Sequence, residues 1–192
     1  MLAEFQQYLS DHANLTEDAL REISRLAVPA SIPRNGVLLE AGDTCRHKIF
    51  IINGLLRTFS ITEDGNEHIL QFSPERTWTL DVESYDKHTP SQVSIAAVEP
   101  SNVLLWHKPD FDDLLLRFPE LKRFSEQLIS RNIYSSRNRI LTMLSGTPEE
   151  KYADFVQTYP GFLARLPLRM IAAYLGISLK TLTRIRRAQL RR

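Results

Sequence analysis

Leu168-Arg-Met-Ile-Ala-Ala-Tyr-Leu-Gly-Ile-Ser-Leu-Lys-Thr-Leu-Thr-Arg-Ile-Arg-Arg187 decides how this chain is read, because its apolar and turn-forming residues fall in the register of two short helices joined by a tight turn. Ile171, Leu175, Ile177, Leu182 and Ile185 recur where both helices and the turn face one core. Ala172 stands at the crossing, where a larger side chain would push the helices apart. Gly176 stands where the first helix must stop, in a positive-φ conformation that glycine adopts cheaply. Ser178 follows as a candidate N-cap of the second helix. The pattern is that of a helix-turn-helix.

The charge around this motif points the same way. Residues 161–192 carry eight Lys/Arg and no Asp or Glu, whereas the whole chain has 24 basic and 23 acidic side chains. The first 160 residues therefore hold 16 basic and 23 acidic groups, a formal −7 against +8 for the tail. A basic field confined to one end suits phosphate neutralisation, and the acidic remainder would repel a polyanion elsewhere. Double-stranded DNA is the expected partner. The plainer alternative is a helical hairpin with a solvated basic face. A membrane-surface helix fits poorly, since Gly176 cuts the tail into pieces too short for a long amphipathic stripe.

Along the second helix, Lys180, Thr181 and Arg184 share an outward face, and Lys180 or Arg184 suits guanine O6 and N7. Ser178, Thr183, Arg187 and, from the first helix, Arg169 are placed for backbone contacts. Arg186, Arg191 and Arg192 add diffuse charge.

Upstream, Thr16 caps a short helix with Leu15 and Leu20 at staple positions and an apolar stripe of Leu20, Ile23 and Leu26, closed by Pro29 and Pro33. Short β-rich runs follow at 37–39, 48–52, 55–61, 68–72, 93–98 and 103–106, with turns at Asn53-Gly54 and Glu63-Asp64-Gly65-Asn66. This spacing predicts an antiparallel sandwich or jelly-roll barrel. After Pro109 the pattern is helical, with Pro119 setting the first turn of a long helix that Gly146 ends. Leu114, Leu121 and Leu128 repeat every seven residues there, with Phe124 nearby. They mark either a pairing seam between two chains or a helix packed on its own barrel. Thr147-Pro148-Glu149-Glu150 is a capping box opening the next helix. The expected domains are 1–118, 119–145 and 146–192.

Composition excludes several classes. Met1-Leu-Ala-Glu-Phe-Gln-Gln-Tyr8 has no basic start or long apolar run, and no stretch of about 18 apolar residues occurs, so a cytoplasmic protein is expected. The single cysteine, Cys45, excludes an intrachain disulfide and a Cys-rich cluster site. His47, His68, His88 and His107 are dispersed, with no His-x-His pair, so no metal is expected. Neither nucleophile elbow, phosphate loop nor paired carboxylates appear; no enzyme activity and no cofactor are expected.

Taken together, the short helix, the jelly-roll with Gly36, Gly42, Gly54 and Gly65 at turns, the long helix and the basic motif resemble the Crp/Fnr family of bacterial transcription regulators. The stretches that carry the resemblance are Gly36-Val-Leu-Leu-Glu-Ala-Gly42, Ile49-Phe-Ile-Ile-Asn-Gly54 and Ile171 to Arg187. It implies an α+β chain: a cyclic-nucleotide-binding-like antiparallel jelly-roll (double-stranded β-helix), a long dimerisation helix and a C-terminal winged-helix-like domain. It further implies a homodimer presenting two recognition helices to successive major grooves, with RNA polymerase as a further partner. Members that bind cyclic nucleotides use a Gly-Glu pair and then Arg-Ser or Arg-Thr to hold the cyclic phosphate. Here Pro90 stands where the arginine belongs, before Ser91, and no Gly precedes Asp81 or Glu83. A cyclic nucleotide effector is disfavoured. Trp78, Tyr85 and Trp106 either line an apolar pocket, with Asp81 and Ser91, for an unknown small-molecule effector or are plain core. The alternative function is a small-molecule-binding jelly-roll without a DNA role.

Overall fold

A computed structural model describes residues 1–189 of the 192-residue chain. In chain order the elements are helices α1 (Leu2–His12) and α2 (Glu17–Arg25), strands β1 (Val28–Ile32), β2 (Val37–Leu39), β3 (His47–Asn53), β4 (Leu55–Ile61), β5 (Glu67–Pro74) and β6 (Trp78–Thr79), then helix α3 (Val82–Lys87). Strands β7 (Ser94–Ala97) and β8 (Ser101–His107) follow, and then helices α4 (Lys108–Arg117), α5 (Pro119–Ser145), α6 (Pro148–Thr158), α7 (Phe162–Arg165), α8 (Leu168–Leu175) and α9 (Leu179–Gln189). The strands form two four-stranded sheets, β1-β8-β3-β6 and β2-β7-β4-β5. The chain divides into two compact units, Met1–Ser60 with Leu70–Ile129, and Ile61–Ile69 with Ser130 onward.

In the first unit the central strands β3 and β8 explain why their sequences are almost continuously apolar. Ile49, Ile51 and Val103 point between the sheets, joining Leu39, Leu56, Tyr85 and Ile95. Their neighbours Phe50, Ile52, Leu104 and Trp106 point the other way, into a cluster with Phe5 and Leu9 of α1, Ile23 of α2 and Phe111 of α4. The period of two thus feeds two cores. Thr16 caps α2, its Oγ1 accepting from the Ala19 N–H at 3.2 Å. The end of α2 is fixed to the sheet by Trp106, whose indole N–H donates to the Ile23 carbonyl at 2.8 Å.

Three local readings change. Residues 28–32, with Pro29, form a strand, which survives because β1 is the edge of its sheet and pairs only with β8. Helix α1 precedes the capped α2 and lays Phe5, Tyr8 and Leu9 on the cluster although its N-cap, Met1, makes no side-chain cap bond. His47 and His107 are not dispersed but face each other across β3 and β8, ring centroids 4.4 Å apart.

The seven-residue leucine repeat is also corrected. Leu114 lies on α4 and Leu121 on α5, with Phe118 between them in a non-helical conformation (φ −123°, ψ 90°) ahead of Pro119. Leu114, Leu121 and Phe124 are fully or almost fully buried in the chain's own cluster, and Leu128 packs against it. They are committed to the fold of one chain and are not a free seam. Helix α5 leaves Ile129, Ile133, Tyr134, Ile140, Leu141 and Leu144 exposed, and of these Ile129, Ile133, Ile140 and Leu144, between 47% and 82% exposed, are spaced 4, 7 and 4 along one face.

In the second unit Arg139 of α5 points inward. Its Nη2 donates to the carbonyls of Ile69 at 3.0 Å and Tyr174 at 2.9 Å, and the guanidinium lies 4.0 Å from the Tyr174 ring centroid. The capping box at the start of α6 is complete: Thr147 Oγ1 accepts from the Glu150 N–H, and Glu150 Oε2 accepts from the Thr147 N–H at 2.7 Å. Past Ser145 every described element is helical, so the winged part of the expectation has no counterpart among the described residues. No helix among them is long and apolar enough to cross a membrane.

Lys48 on β3 reaches over the Phe111 ring (4.5 Å) and the Trp78 ring (5.5 Å), and burial pushes its pKa down from 10.5 to about 8. A depressed folded-state value means the fold disfavours the charged form: the penalty is present at neutral pH and fades as the amine loses its proton between about pH 8 and 10.5. Lys48→Met should therefore raise the melting midpoint near pH 7 by roughly 2–4 °C. The gap between variant and wild type should shrink as the melts are repeated towards about pH 10.

Candidate nucleic-acid interface

Helices α8 and α9 meet through the residues the spacing singled out. Ile171, Ala172, Leu175, Leu182 and Ile185 are buried, with Met170 and Tyr174 beside them, and Ile177 is half-buried. Gly176 ends α8 with φ 63° and ψ 34°, and its N–H donates to the Ala172 carbonyl. The next residue continues this tight reversal, the Ile177 N–H also reaching Ala172 O at 3.1 Å. Ser178 then caps α9: its Oγ accepts from the Thr181 N–H at 3.1 Å and lies 2.9 Å from Thr181 Oγ1.

The outer face of α9 carries Leu179, Lys180, Arg184 and Arg187, all exposed. Ala188 is exposed beside them. Thr181 is half-buried and its hydroxyl is engaged with Ser178, so it serves the turn more than the outer face. Thr183 is half-buried and donates its hydroxyl to the Leu179 carbonyl at 2.8 Å. Arg169 is exposed on α8, and Arg186 is half-buried. Arg191 and Arg192 lie outside the described residues. One contact was invisible to spacing: Arg184 Nη2 lies 2.8 Å from Oε1 of Glu149, 35 residues earlier at the start of α6.

Of the two readings of Trp78, Tyr85 and Trp106, a pocket lining or plain core, their burial matches plain core. Trp78 sits in the helix-side cluster, its ring centroid 5.1 Å from Phe50 and 5.1 Å from Trp106, whereas Tyr85 belongs to the core between the sheets. The aromatic rings therefore lie on opposite sides of a sheet and cannot line one cavity. Asp81 and Ser91 do come together: Ser91 Oγ donates to Asp81 Oδ2 at 2.6 Å, while Asp81 Oδ1 accepts from the Glu83 N–H and caps α3. The backbone holds this pair in place, Ser91 donating to Asp43 O and accepting from the Gly42 N–H, both at 2.8 Å. Burial pushes the Tyr85 phenol pKa up, and the Lys108 Nζ stands 4.4 Å from its ring centroid.

The cyclic nucleotide-binding domain family matches residues 29–118. The chain is 30% identical over 183 residues to the transcriptional activator protein FnrA of Stutzerimonas stutzeri, covering 88% of this chain and 72% of FnrA. Among solved structures, FixK2 from Bradyrhizobium japonicum superposes with a TM-score of 0.75 at 17% identity, covering 86% of this chain and 84% of that one. A transcriptional regulator of the crp/fnr family from Eubacterium rectale gives 0.74 at 16% identity, covering 96% and 88%.

Gly176 is the position where the two-helix motif depends on one residue's backbone. A Cβ there meets open space, so the cost of substitution comes from the left-handed φ alone. Gly176→Ala should lower stability by about 1–2 kcal/mol in urea titrations. Gly176→Asn should recover part of that loss, because asparagine tolerates this region.

Proposed function

The chain belongs to the Crp/Fnr family and is a DNA-binding transcriptional regulator, and from this premise we propose that it works as a homodimer with α9 of each subunit in a major groove. Regulators of this family bind DNA and act as dimers. The observation that carries the reading is the α8–Gly176–α9 motif, with a buried apolar side and an outer face of Lys180, Arg184 and Arg187. In this reading Lys180 and Arg184 meet base edges, while Arg169, Ser178, Thr183 and Arg187 meet phosphates. Residues 1–118 form the sensor-type domain, 119–145 the pairing helix and 146–192 the DNA-binding domain.

The pairing surface is the open face of α5, Ile129, Ile133, Ile140 and Leu144, since the leucines nearer its start are already buried. Apolar residues at this spacing on a long helix suit a second copy of the same helix. The effector is not a cyclic nucleotide: Pro90 supplies no guanidinium, and the Ser91 hydroxyl is spent on Asp81. A different small-molecule effector and contact with RNA polymerase complete the proposal.

Two experiments test it. Ile133→Glu with Ile140→Glu should give a monomer by light scattering with a near-normal melt, whereas Leu121→Ala should cost about 2–5 kcal/mol of stability and leave the mass dimeric. Selection from random duplexes should return an inverted repeat with half-site centres about 10 base pairs apart. Arg184→Ala should weaken the best site by roughly 1–3 kcal/mol and relax its base preference. Arg187→Ala should weaken all sequences alike and lower the salt slope by about one. Enrichment of unpaired single sites would sink the docking geometry.

A further inference from the structure

We propose that Glu149 is a positioning residue for DNA readout: its carboxylate holds the Arg184 guanidinium in the orientation from which it meets a base edge. This rests on the reading of α9 as the recognition helix. Glu149 Oε1 takes one charge-assisted bond from Arg184 Nη2 at 2.8 Å, and a guanidinium has five N–H donors, so a bidentate edge stays free for a base.

The pair has little to do with holding the fold. Both side chains are more than half exposed, 64% for Arg184 and 52% for Glu149, and ion pairs in water contribute little. Its anchor is nevertheless rigid, because Glu149 occupies the first turn of α6, where the helix dipole favours an acid and the Thr147–Glu150 box fixes the helix start. A carboxylate beside a DNA-facing surface would by itself repel phosphate, yet this one is aimed at the arginine. Among the described residues no carboxylate pairs with Lys180 or Arg187 on the same face. One arginine of the face is thus held before DNA arrives, and a long side chain that is already ordered loses less freedom on binding. When DNA expels water from the site, the pair strengthens in the lower dielectric.

The test measures binding of the full chain to its selected duplex, to the same duplex altered at the base pair whose preference Arg184→Ala relaxes, and to random duplex. Glu149→Gln should lose about two- to tenfold of the discrimination at that base pair, the order expected for ordering one such side chain. Its binding to random duplex should hold or tighten, since a negative charge is gone. In an Arg184→Ala background Glu149→Gln should change discrimination no further, and its melt should match wild type. Unchanged or sharper discrimination in Glu149→Gln overturns the inference alone, leaving the carboxylate a surface ion or a brake. Wild-type protein that shows no base preference, or none that depends on Arg184, overturns the readout by α9 together with it.

Discussion

Strands β3 and β8 have no solvent face, and the first unit is organised around that fact. Their odd and even residues enter different cores, one between the sheets and one beneath helices α1, α2, α4 and the start of α5. A strand pair of this kind is stable only if layers cover it on both sides, so the helices are as obligatory as the second sheet. A slip of one residue would send Phe50 and Trp106 into the space that Ile49, Ile51 and Val103 fill. The Trp106 indole bond to Ile23 adds a polar check on register, since that N–H is buried and needs its acceptor.

How much of this could be read from sequence depended on whether a signal was local. Thr147 with Glu150, Thr16 ahead of α2 and Gly176 with Ser178 are satisfied within a few residues of themselves, and each stands where its spacing placed it. Most strands were legible because β-branched and aromatic residues ran between turn residues. Pro29 hid β1, since only the sheet order makes it an edge. Leu114, Leu121 and Leu128 misled because a seven-residue interval means one helix face only if the helix is unbroken, and Phe118-Pro119 breaks it. Trp78 and Tyr85 are close in sequence yet enter different cores, because Trp78 lies on β6 and Tyr85 on the helix α3 that follows it. Glu149 and Arg184 carry no shared signal, because only the packing of α6 against α9 joins them.

The two charge regimes of the chain serve different ends. In the helix-turn-helix Arg169, Lys180, Arg184 and Arg187 stand in the open, where phosphate would reach them, over a core of Ile171, Leu175, Leu182 and Ile185. In the jelly-roll the polar groups nearest the family's ligand region are turned on each other: Asp81 caps α3 and accepts from Ser91, whose backbone is paired with Asp43 and Gly42. A phosphate would have to displace a carboxylate from its donors, and Pro90, standing ahead of Ser91, supplies no guanidinium to favour the exchange.

Cys45, the chain's single cysteine, lies in the core between the sheets, its backbone N–H bonded to Ser84 Oγ at 2.8 Å. Burial pushes its thiol pKa up, and only the thiolate attacks a disulfide reagent. Reagent in solution can therefore reach it only when the sandwich parts. The unaltered protein carries a built-in stopwatch: the labelling rate of one sulfur counts how often the jelly-roll breathes, and a ligand that seats there would announce itself by slowing the count.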